Sequence, residues 1–186
     1  LLFIASAGLS AQTQSPAVTP TAGTLTVTST ISSGGTITAV WIDDATGTFV
    51  RTLYAGSSSG YVNELSTWSA ESNQNVVNAT TGATKSSIWA LSYSWNGKDK
   101  TNTTLLADGT YTVKIENARQ DVSPVVVTAS FTKGAASQTV TASNKAPITN
   151  VTVKWVPSST GLNEIKLGNL YSVYPNPTRS TIFVNG

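Results

Sequence analysis

The sequence predicts an all-β protein with the architecture of a β-sandwich, and three observations support that prediction. First, Thr, Val, Ile and Trp favour strands, while the many Gly, Asn and Ser residues favour the turns between strands. Second, charged residues make up only 11% of the 186 residues, against roughly 25% in an average soluble domain. Third, short segments that alternate apolar and polar residues recur along the chain, as they do in sandwiches.

The folded domain is predicted to span residues 24–157, after two N-terminal segments of a different character. Residues 1–11 form an apolar run that ends in small residues, as in a partial signal peptide, and we expect cleavage after Ala11. A first core strand is the alternative interpretation of this run. Residues 12–23 contain Pro and Thr without periodicity and are predicted to form a spacer. No transmembrane segment is expected in the mature chain, because a span needs about 20 apolar residues.

Alternation predicts strands at 24–31, 36–42, 49–53, 125–132, 139–142 and 148–156, in addition to a central pair. Tyr61, Leu65 and Trp68 recur at near-helical spacing and predict a short helical turn. Trp41, Trp68 and Trp89 are either large core residues or an exposed platform for stacking carbohydrate or flavin rings. The predicted core consists of the alternating apolar residues Leu25, Val27, Val40, Ile42, Leu53, Leu91, Tyr93, Trp95, Tyr111, Val113, Ile115, Val126, Phe131, Val151, Val153 and Trp155.

The central pair of strands is predicted to form a β-hairpin. Apolar residues alternate up to Trp95 and again from Tyr111, with a polar loop between them. Asn96-Gly97 and Asp108-Gly109 stand at the two ends of this loop and supply residues that tolerate a positive φ. We therefore expect Trp95 and Tyr111 to pair across the hairpin.

These residues also carry a resemblance. The segment Trp95-Asn96-Gly97-Lys98-Asp99, with Leu105, Asp108-Gly109 and Tyr111, resembles the Trp-Asp-Gly…Gly-x-Tyr hairpin of the immunoglobulin-like domain in flagellar hook-capping proteins. Asn102 occupies a position that is usually Gly in those domains. The resemblance implies an immunoglobulin-like β-sandwich. From their side-chain chemistry, we also expect Asn96 and Asp99 to hydrogen-bond the backbone of their own loop.

The C-terminal residues resemble a different module. Residues 158–169 lose strand periodicity and are predicted to form a linker. Residues 170–186, with Tyr174, Pro175, Asn176 and Pro177 at their centre, resemble the start of the C-terminal sorting domain of type IX secretion substrates in Bacteroidetes. This resemblance implies export to the cell surface or the medium by the type IX secretion machinery. The alternative is a Pro-terminated strand of the main fold.

Over residues 39–119 the chain resembles the predicted periplasmic protein family of unknown function numbered 2271, whose members often lie beside genes for flavin transferases. Within that region, Thr81-Gly82-Ala83-Thr84 resembles the motif at which such transferases esterify FMN to a threonine. The resemblance implies that Thr84 would carry the phosphoester, and Asn78 occupies the position where the motif has Asp. The alternative is that residues 80–84 form a turn in which Gly82 adopts an unusual φ.

The composition excludes several kinds of chemistry. The chain has no His and no Cys, which rules out Ser-His-Asp triads, thiolate nucleophiles, His-ligated zinc and disulfides. A net charge of +2 is too small for a nucleic-acid interface. Asp43-Asp44 with Gly47, or Asn96, Asp99 and Asn102, could offer oxygen ligands to calcium, but their spacing matches no calcium loop, so we expect solvated turns. Asp43 and Asp44 would also make a poor catalytic dyad, because neighbours on a strand point to opposite faces.

Two functions remain open from the sequence. The first is a non-enzymatic binding or assembly module in the periplasm or at the cell surface, without a cofactor, whose partners would be surface or envelope proteins. The second is a redox carrier with covalent FMN on Thr84, for which a flavin transferase would be a partner. An accessible Thr84 beside exposed aromatic rings would favour the carrier, whereas a buried or hydrogen-bonded Thr84 would favour the turn. A hydrolase has no dedicated residues in support.

Overall fold

A computed structural model describes residues 19–34, 36–56, 61–120 and 122–158, together with the backbone of two short strands at 172–175 and 182–185. The predicted signal segment, most of the spacer and most of the linker therefore lie outside the described residues, as do Asn176 and Pro177 of the sorting motif.

The described strands form two large sheets and one small one. The strands are β1 (Gly23–Ile31), β2 (Ile37–Asp44), β3 (Phe49–Gly56), β4 (Thr80–Gly82), β5 (Trp89–Trp95), β6 (Gly109–Arg119), β7 (Val122–Lys133), β8 (Gln138–Thr141), β9 (Ile148–Pro157), β10 (Ser172–Pro175) and β11 (Ile182–Asn185). One sheet has the order β5-β1-β9-β8 and the other the order β4-β3-β2-β6-β7, while β10 pairs with β11. The two large sheets pack face to face, which confirms the predicted β-sandwich.

A helical segment lies between β3 and β4, as the spacing of Leu65 and Trp68 predicts. A 3-10 turn (Val62–Glu64) leads into helix α1 (Ser66–Ser72). Leu65 and Trp68 are buried against the five-stranded sheet, and the helix ends where Asn73 adopts a left-handed conformation with φ +50°.

The predicted central hairpin is wrong. Strand β5 pairs with β1, with Trp95 opposite Leu25, whereas β6 lies between β2 and β7 in the other sheet. The loop between β5 and β6 therefore crosses from one sheet to the other. The rings of Trp95 and Tyr111 still meet, with centroids 5.2 Å apart, but they do so across the interior of the sandwich and not as neighbours on paired strands.

The core between the sheets contains all the predicted residues except Tyr93 and Val126. Tyr93 is half-buried at its margin and stacks on Tyr54 at 4.7 Å. Val126 packs on the outer face of the five-stranded sheet, because the inward residues of β7 are Val127, Ala129 and Phe131. A shift of one residue along a strand moves every side chain to the other face.

The outer face of the five-stranded sheet carries a second apolar cluster under helix α1. The cluster consists of Ile37, Ala39, Trp41, Ala55, Leu65, Trp68 and Ala118. Strand β2 is consequently buried on both faces. Trp41 and Trp68 are core residues and not an exposed stacking platform, while Trp89 is half-buried.

Candidate functional site

A cavity of about 230 Å³ lies beside Thr84 at one end of the five-stranded sheet. We call it the Thr84 cavity, and its lining consists of Ile37, Tyr61, Glu64, Thr84, Ala118, Arg119 and Gln120. Separate parts of the chain supply these residues: the start of β2, the end of β6, the 3-10 turn and the segment after β4.

Strand pairing brings these parts together. Ile37 at the start of β2 pairs with Ala118 near the end of β6, so Arg119 and Gln120 follow at the same end of the sheet. An isolated bridge joins Thr36 to Lys85 through backbone hydrogen bonds of 3.4 and 3.3 Å. This bridge places Thr84 next to the start of β2.

The lining of the cavity combines apolar and charged groups. Ile37 and Ala118 are buried, whereas Arg119 and Gln120 are exposed and Tyr61 is 43% exposed. Arg119 supplies a permanent positive charge with several donors, which suits a carboxylate or phosphate. The Tyr61 ring offers an apolar surface beside it, so the cavity can accept a small ligand that has both an anionic and an apolar part.

The segment around Thr84 differs from a simple turn. Thr81 and Gly82 belong to β4, which pairs in parallel with β3 so that Gly82 lies opposite Gly56. Gly82 does not have a positive φ, so the predicted turn with an unusual Gly82 is wrong. A Cβ at this position would lie 3.0 Å from the hydroxyl oxygen of Tyr54, so a larger residue would require the Tyr54 side chain to shift. Ala83 is exposed and Thr84 is half-buried.

Asn78 lies with a different group of residues. It adopts a left-handed conformation with φ +56°, and its Nδ2 donates a hydrogen bond of 3.0 Å to the carbonyl oxygen of Lys100. Arg51 Nη2 donates a hydrogen bond of 2.9 Å to the carbonyl oxygen of Asn78. Asn78 is thus hydrogen-bonded to the loop that follows β5. Thr84, in contrast, lines a cavity with Tyr61 and Arg119.

The loop between β5 and β6 holds its shape through its own side chains. Asn96 Oδ1 accepts a hydrogen bond from the backbone nitrogen of Lys98, and Asp99 Oδ1 accepts bonds from Thr103 and Thr104. Desolvation raises the pKa of Asp99, but these hydrogen bonds outweigh it and lower the pKa overall. Asn102 occupies the left-handed region with φ +63°, which explains why it can replace glycine. The expected backbone bonds of Asn96 and Asp99 are confirmed.

Asp108, at the end of the same loop, forms long-range contacts. Its Oδ1 lies 2.7 Å from Nζ of Lys133, whose side chain is fully buried. The backbone nitrogen and the hydroxyl of Thr21 donate hydrogen bonds to the two oxygens of the same carboxylate. Asp108 therefore links Thr21, which precedes β1, to Lys133 at the end of β7. Gly109, the next residue, opens β6.

A buried ion cluster lies under helix α1. Nζ of Lys114 on β6 lies 2.8 Å from Oδ2 of Asp43 on β2 and 2.6 Å from Oε1 of Glu71 on the helix. The indole nitrogen of Trp41 donates a hydrogen bond of 2.8 Å to the other oxygen of Glu71. Burial raises the pKa of Asp43 despite the adjacent lysine. Burial also lowers the pKa of Lys114, but the close contacts of its ammonium group with the carboxylates of Asp43 and Glu71 outweigh it and raise that pKa overall.

Sequence reasoning missed Lys114 and Glu71, and the signal for them was weak. Lys114 alternates with the inward residues Val113 and Ile115, and this shows only that it faces outward. Asp44 forms the predicted solvated turn, since its Oδ1 accepts hydrogen bonds from the backbone nitrogens of Thr46 and Thr48. The same prediction is wrong for Asp43, which is fully buried in β2 and paired with Lys114.

Two features are absent from the part of the chain that the structure describes. No group of three or more acidic, His or Cys side chains in this part of the chain could hold a metal ion. No helix among the same residues is long and apolar enough to cross a membrane.

The comparisons with known proteins give one match. A family model described as "Predicted periplasmic protein (DUF2271)" matches residues 25–150, which cover the sandwich from β1 to the start of β9. No curated protein and no solved structure matches the chain.

Proposed function

This chain belongs to that family of predicted periplasmic proteins, and from this premise we propose that it is an exported, non-enzymatic module that binds a small ligand in the Thr84 cavity. The observation that carries the proposal is the lining of the cavity, where Arg119 and Glu64 meet the exposed ring of Tyr61. Assembly with a surface or envelope protein through the same end of the sheet is compatible with this role.

The use of charge in the fold supports a binding role. Asp44 and Asp99 accept hydrogen bonds from their own loops, and Asp43 and Asp108 form ion pairs. These carboxylates therefore stabilise the fold, whereas Arg119 and Glu64 line a cavity that opens to solvent. A cation in that position attracts anions without any need for a reaction.

Binding can be tested with small aromatic anions, such as aromatic carboxylates and mononucleotides, by calorimetry on the purified full chain. We expect at least one of them to bind the wild type and to bind Arg119→Gln at least tenfold more weakly. Lys145→Gln serves as the matched control, because Lys145 is an exposed cation that does not line the cavity. Equal affinity in the wild type and Arg119→Gln, or no binding of any probe, would contradict the proposal.

A second candidate function is a redox carrier with FMN esterified to Thr84. The specific observation in its favour is that Thr84 lines the same cavity as Arg119 and Tyr61. Arg119 would neutralise the phosphate, and Tyr61 would offer a surface to the rest of the group. FMN, when attached, would supply one- and two-electron redox chemistry. The cavity of about 230 Å³ is smaller than the roughly 300 Å³ at the lower limit of typical ligand pockets, so part of the group would remain in solvent.

The two functions differ in the mass and colour of the protein. We would co-express the full chain with a flavin transferase and measure its intact mass and visible absorbance. The carrier requires a yellow protein that is heavier by one esterified FMN, with the modification absent from Thr84→Ala and retained in Thr81→Ala. An unmodified wild type in the presence of an active transferase would eliminate the carrier and leave the binding module.

Export by the type IX machinery is a third part of the proposal. It rests on the resemblance of residues 170–186, and the pairing of β10 with β11 alone, outside the two large sheets, supports a segment separate from the sandwich. The full chain should reach the surface or the medium of a bacterium that has this machinery, and should stay in the periplasm of a strain without the translocon. Equal release from both strains would refute this route.

A further inference from the structure

The cluster of Asp43, Lys114 and Glu71 contains an amine and a carboxyl in contact, with a second carboxyl beside both. We propose that Lys114 and Asp43 are joined by an intramolecular isopeptide bond, formed by condensation of the amine with the carboxyl while Glu71 relays the protons. The proposal is independent of the Thr84 cavity and of any ligand.

The register of the sheet fixes the two reacting groups. Lys114 lies opposite Trp41, and Asp43 lies opposite Thr112, so Lys114 and Asp43 are diagonal neighbours on the outer face of two paired strands. Nζ of Lys114 lies 2.8 Å from Oδ2 of Asp43. The carbon of that carboxyl is therefore within reach of the nitrogen, and neither strand needs to move.

Burial makes the unreacted pair costly. The side chain of Asp43 is 0% exposed and that of Lys114 is 19% exposed. Within the described residues, neither oxygen of Asp43 accepts a hydrogen bond of normal geometry, although Oδ2 is close to the lysine. A buried charge with incomplete hydrogen bonding is unfavourable. An amide would remove the charges of both Lys114 and Asp43 from this site.

Glu71 is placed to move the protons. Its Oε1 lies 2.6 Å from Nζ of Lys114, and the indole of Trp41 fixes its other oxygen. Burial also raises the pKa of Asp43, which favours the neutral acid as electrophile. Because the pKa of Lys114 is raised, its amine becomes free by transfer of a proton to a carboxylate within the cluster and not by release to solvent.

The reaction balances without an oxidant or a second substrate. The neutral nitrogen of Lys114 attacks the carboxyl carbon of Asp43, which forms the C–N bond and a tetrahedral intermediate. Glu71 takes a proton from the nitrogen and gives one to the departing hydroxyl group. The C–O bond breaks, one water leaves, and Glu71 returns to its starting state.

A covalent link between β2 and β6 suits a protein of this location. Exported domains commonly rely on disulfides for covalent stabilisation, and this chain has no cysteine. The bond would close a loop that contains helix α1, β3, β4 and β5. Closing a loop of that length restricts the unfolded chain and stabilises the fold.

A second lysine–aspartate pair in this chain can be compared with Lys114 and Asp43. Lys133 and Asp108 also form a lysine–aspartate contact, at 2.7 Å. Among the described residues, however, no second carboxylate lies within ion-pair distance of Lys133. Desolvation raises the pKa of Asp108, but its contacts with Lys133 and Thr21 outweigh this and lower the pKa overall, which favours its unreactive carboxylate form. We therefore expect this second pair to remain an ion pair.

The test is the intact mass of the purified full chain under denaturing conditions. The wild type should be lighter than its sequence by one water, and Lys114→Arg, which keeps the charge but lacks the amine, should have its full mass. Glu71→Gln should also have its full mass or lose water far more slowly. Lys133→Arg should retain the deficit of the wild type.

Peptide mapping locates the bond. Trypsin does not cleave after an acylated lysine, so residues 101–119 should remain intact and joined to the peptide that ends at Arg51. A wild type with its full sequence mass would overturn the proposal and leave a buried ion pair. A water loss that maps elsewhere, for example to a succinimide at Asp108-Gly109, would overturn it as well. An undiminished bond in Glu71→Gln would remove the relay from the mechanism.

Discussion

The carboxylate of Glu116, on the outer face of β6, accepts a hydrogen bond of 2.7 Å from the backbone nitrogen of Trp68 in helix α1. Its other oxygen accepts a bond of 3.0 Å from the nitrogen of Thr67. Leu65, at the position before the helix, provides no side-chain cap. A residue of the sheet thus satisfies the first free amides of the helix and also places a negative charge near its positive end.

Glu116→Ala should therefore destabilise the protein by about 3 kcal/mol, because the buried amide of Trp68 and the partly buried amide of Thr67 lose a charged acceptor. Glu116→Gln should cost about 1 kcal/mol, since its amide oxygen can still accept one of the bonds. Urea unfolding followed by tryptophan fluorescence would measure both. Glu64→Gln is a control in the neighbouring 3-10 turn and should change the free energy of unfolding by less than about 0.5 kcal/mol. Similar losses for all three variants would show that Glu116 does not hold the helix.

The buried Lys133 depends on Asp108 for its partner. Asp108→Ala should destabilise the protein by about 3 kcal/mol, because it leaves the buried ammonium group of Lys133 unpaired and releases Thr21. The double variant Asp108→Asn with Lys133→Met should recover most of that loss, since an apolar side chain can replace a buried ion pair. Denaturant midpoints of the three proteins test this order. A double variant that is less stable than Asp108→Ala would contradict it.

Substitutions at two glycines distinguish the cost of backbone strain from the cost of steric overlap. Gly47 and Gly97 both have a left-handed φ, of +81° and +76°. A Cβ on Gly47 would meet nothing within 4 Å, whereas one on Gly97 would lie 2.9 Å from Cε of Lys133. Gly47→Ala should cost about 1 kcal/mol from conformation alone, and Gly97→Ala should cost more because the buried lysine must also move. Equal losses in thermal unfolding would mean that the lysine accommodates the methyl group.

The strands could be predicted from the sequence, but their partners could not. Alternation of apolar residues identified β5 and β6, because each has one face towards the core. This alternation does not show which strands pair with each other. In the structure β5 pairs with β1, so that Trp95 lies opposite Leu25. The contact between Trp95 and Tyr111 was predicted, and it forms for a different reason: the rings meet between two sheets.

The packing on the outer face of the five-stranded sheet could not be predicted from the sequence, for a physical reason. Strand β2 is covered by the other sheet on one side and by helix α1 on the other, so its apolar residues do not alternate. Trp41 consequently had no predicted position, although it is fully buried. The same helix brings Glu71 to Lys114, a contact between residues that are 43 positions apart.

The candidate site was predicted only in part. The resemblance around Thr84 identified one residue of the cavity, since a motif is a local property of the chain. Tyr61 and Arg119 lie far from it in sequence, and they reach it through the pairing of β2 with β6 and the turn before helix α1. Gly82 does not occupy the turn predicted for it; it lies in β4, where a Cβ would approach the hydroxyl oxygen of Tyr54 to 3.0 Å.

Tyr93 gives a prediction for alkaline pH. Desolvation raises the pKa of Tyr93 from 10.0 to about 12, and the nearby phenol of Tyr54 contributes to the shift. An acid whose pKa is higher in the folded state stabilises the fold fully below its unfolded pKa. That stabilisation is lost as the pH rises through the folded pKa, so the free energy of unfolding should fall between pH 10.0 and about 12.

Tyr93→Phe should weaken this alkaline decline and remove one phenolate transition near pH 12 from an ultraviolet absorbance titration. Tyr54→Phe should keep that transition but move it to a lower pH, because one source of negative charge beside Tyr93 is gone. The two rings stack with their centroids 4.7 Å apart, so a negative charge on either phenol raises the pKa of the other. If Tyr93→Phe instead removes a transition at the ordinary tyrosine pKa of 10.0, the ring of Tyr93 is solvated and the margin of the core lies further inside than the stacking of the two rings indicates.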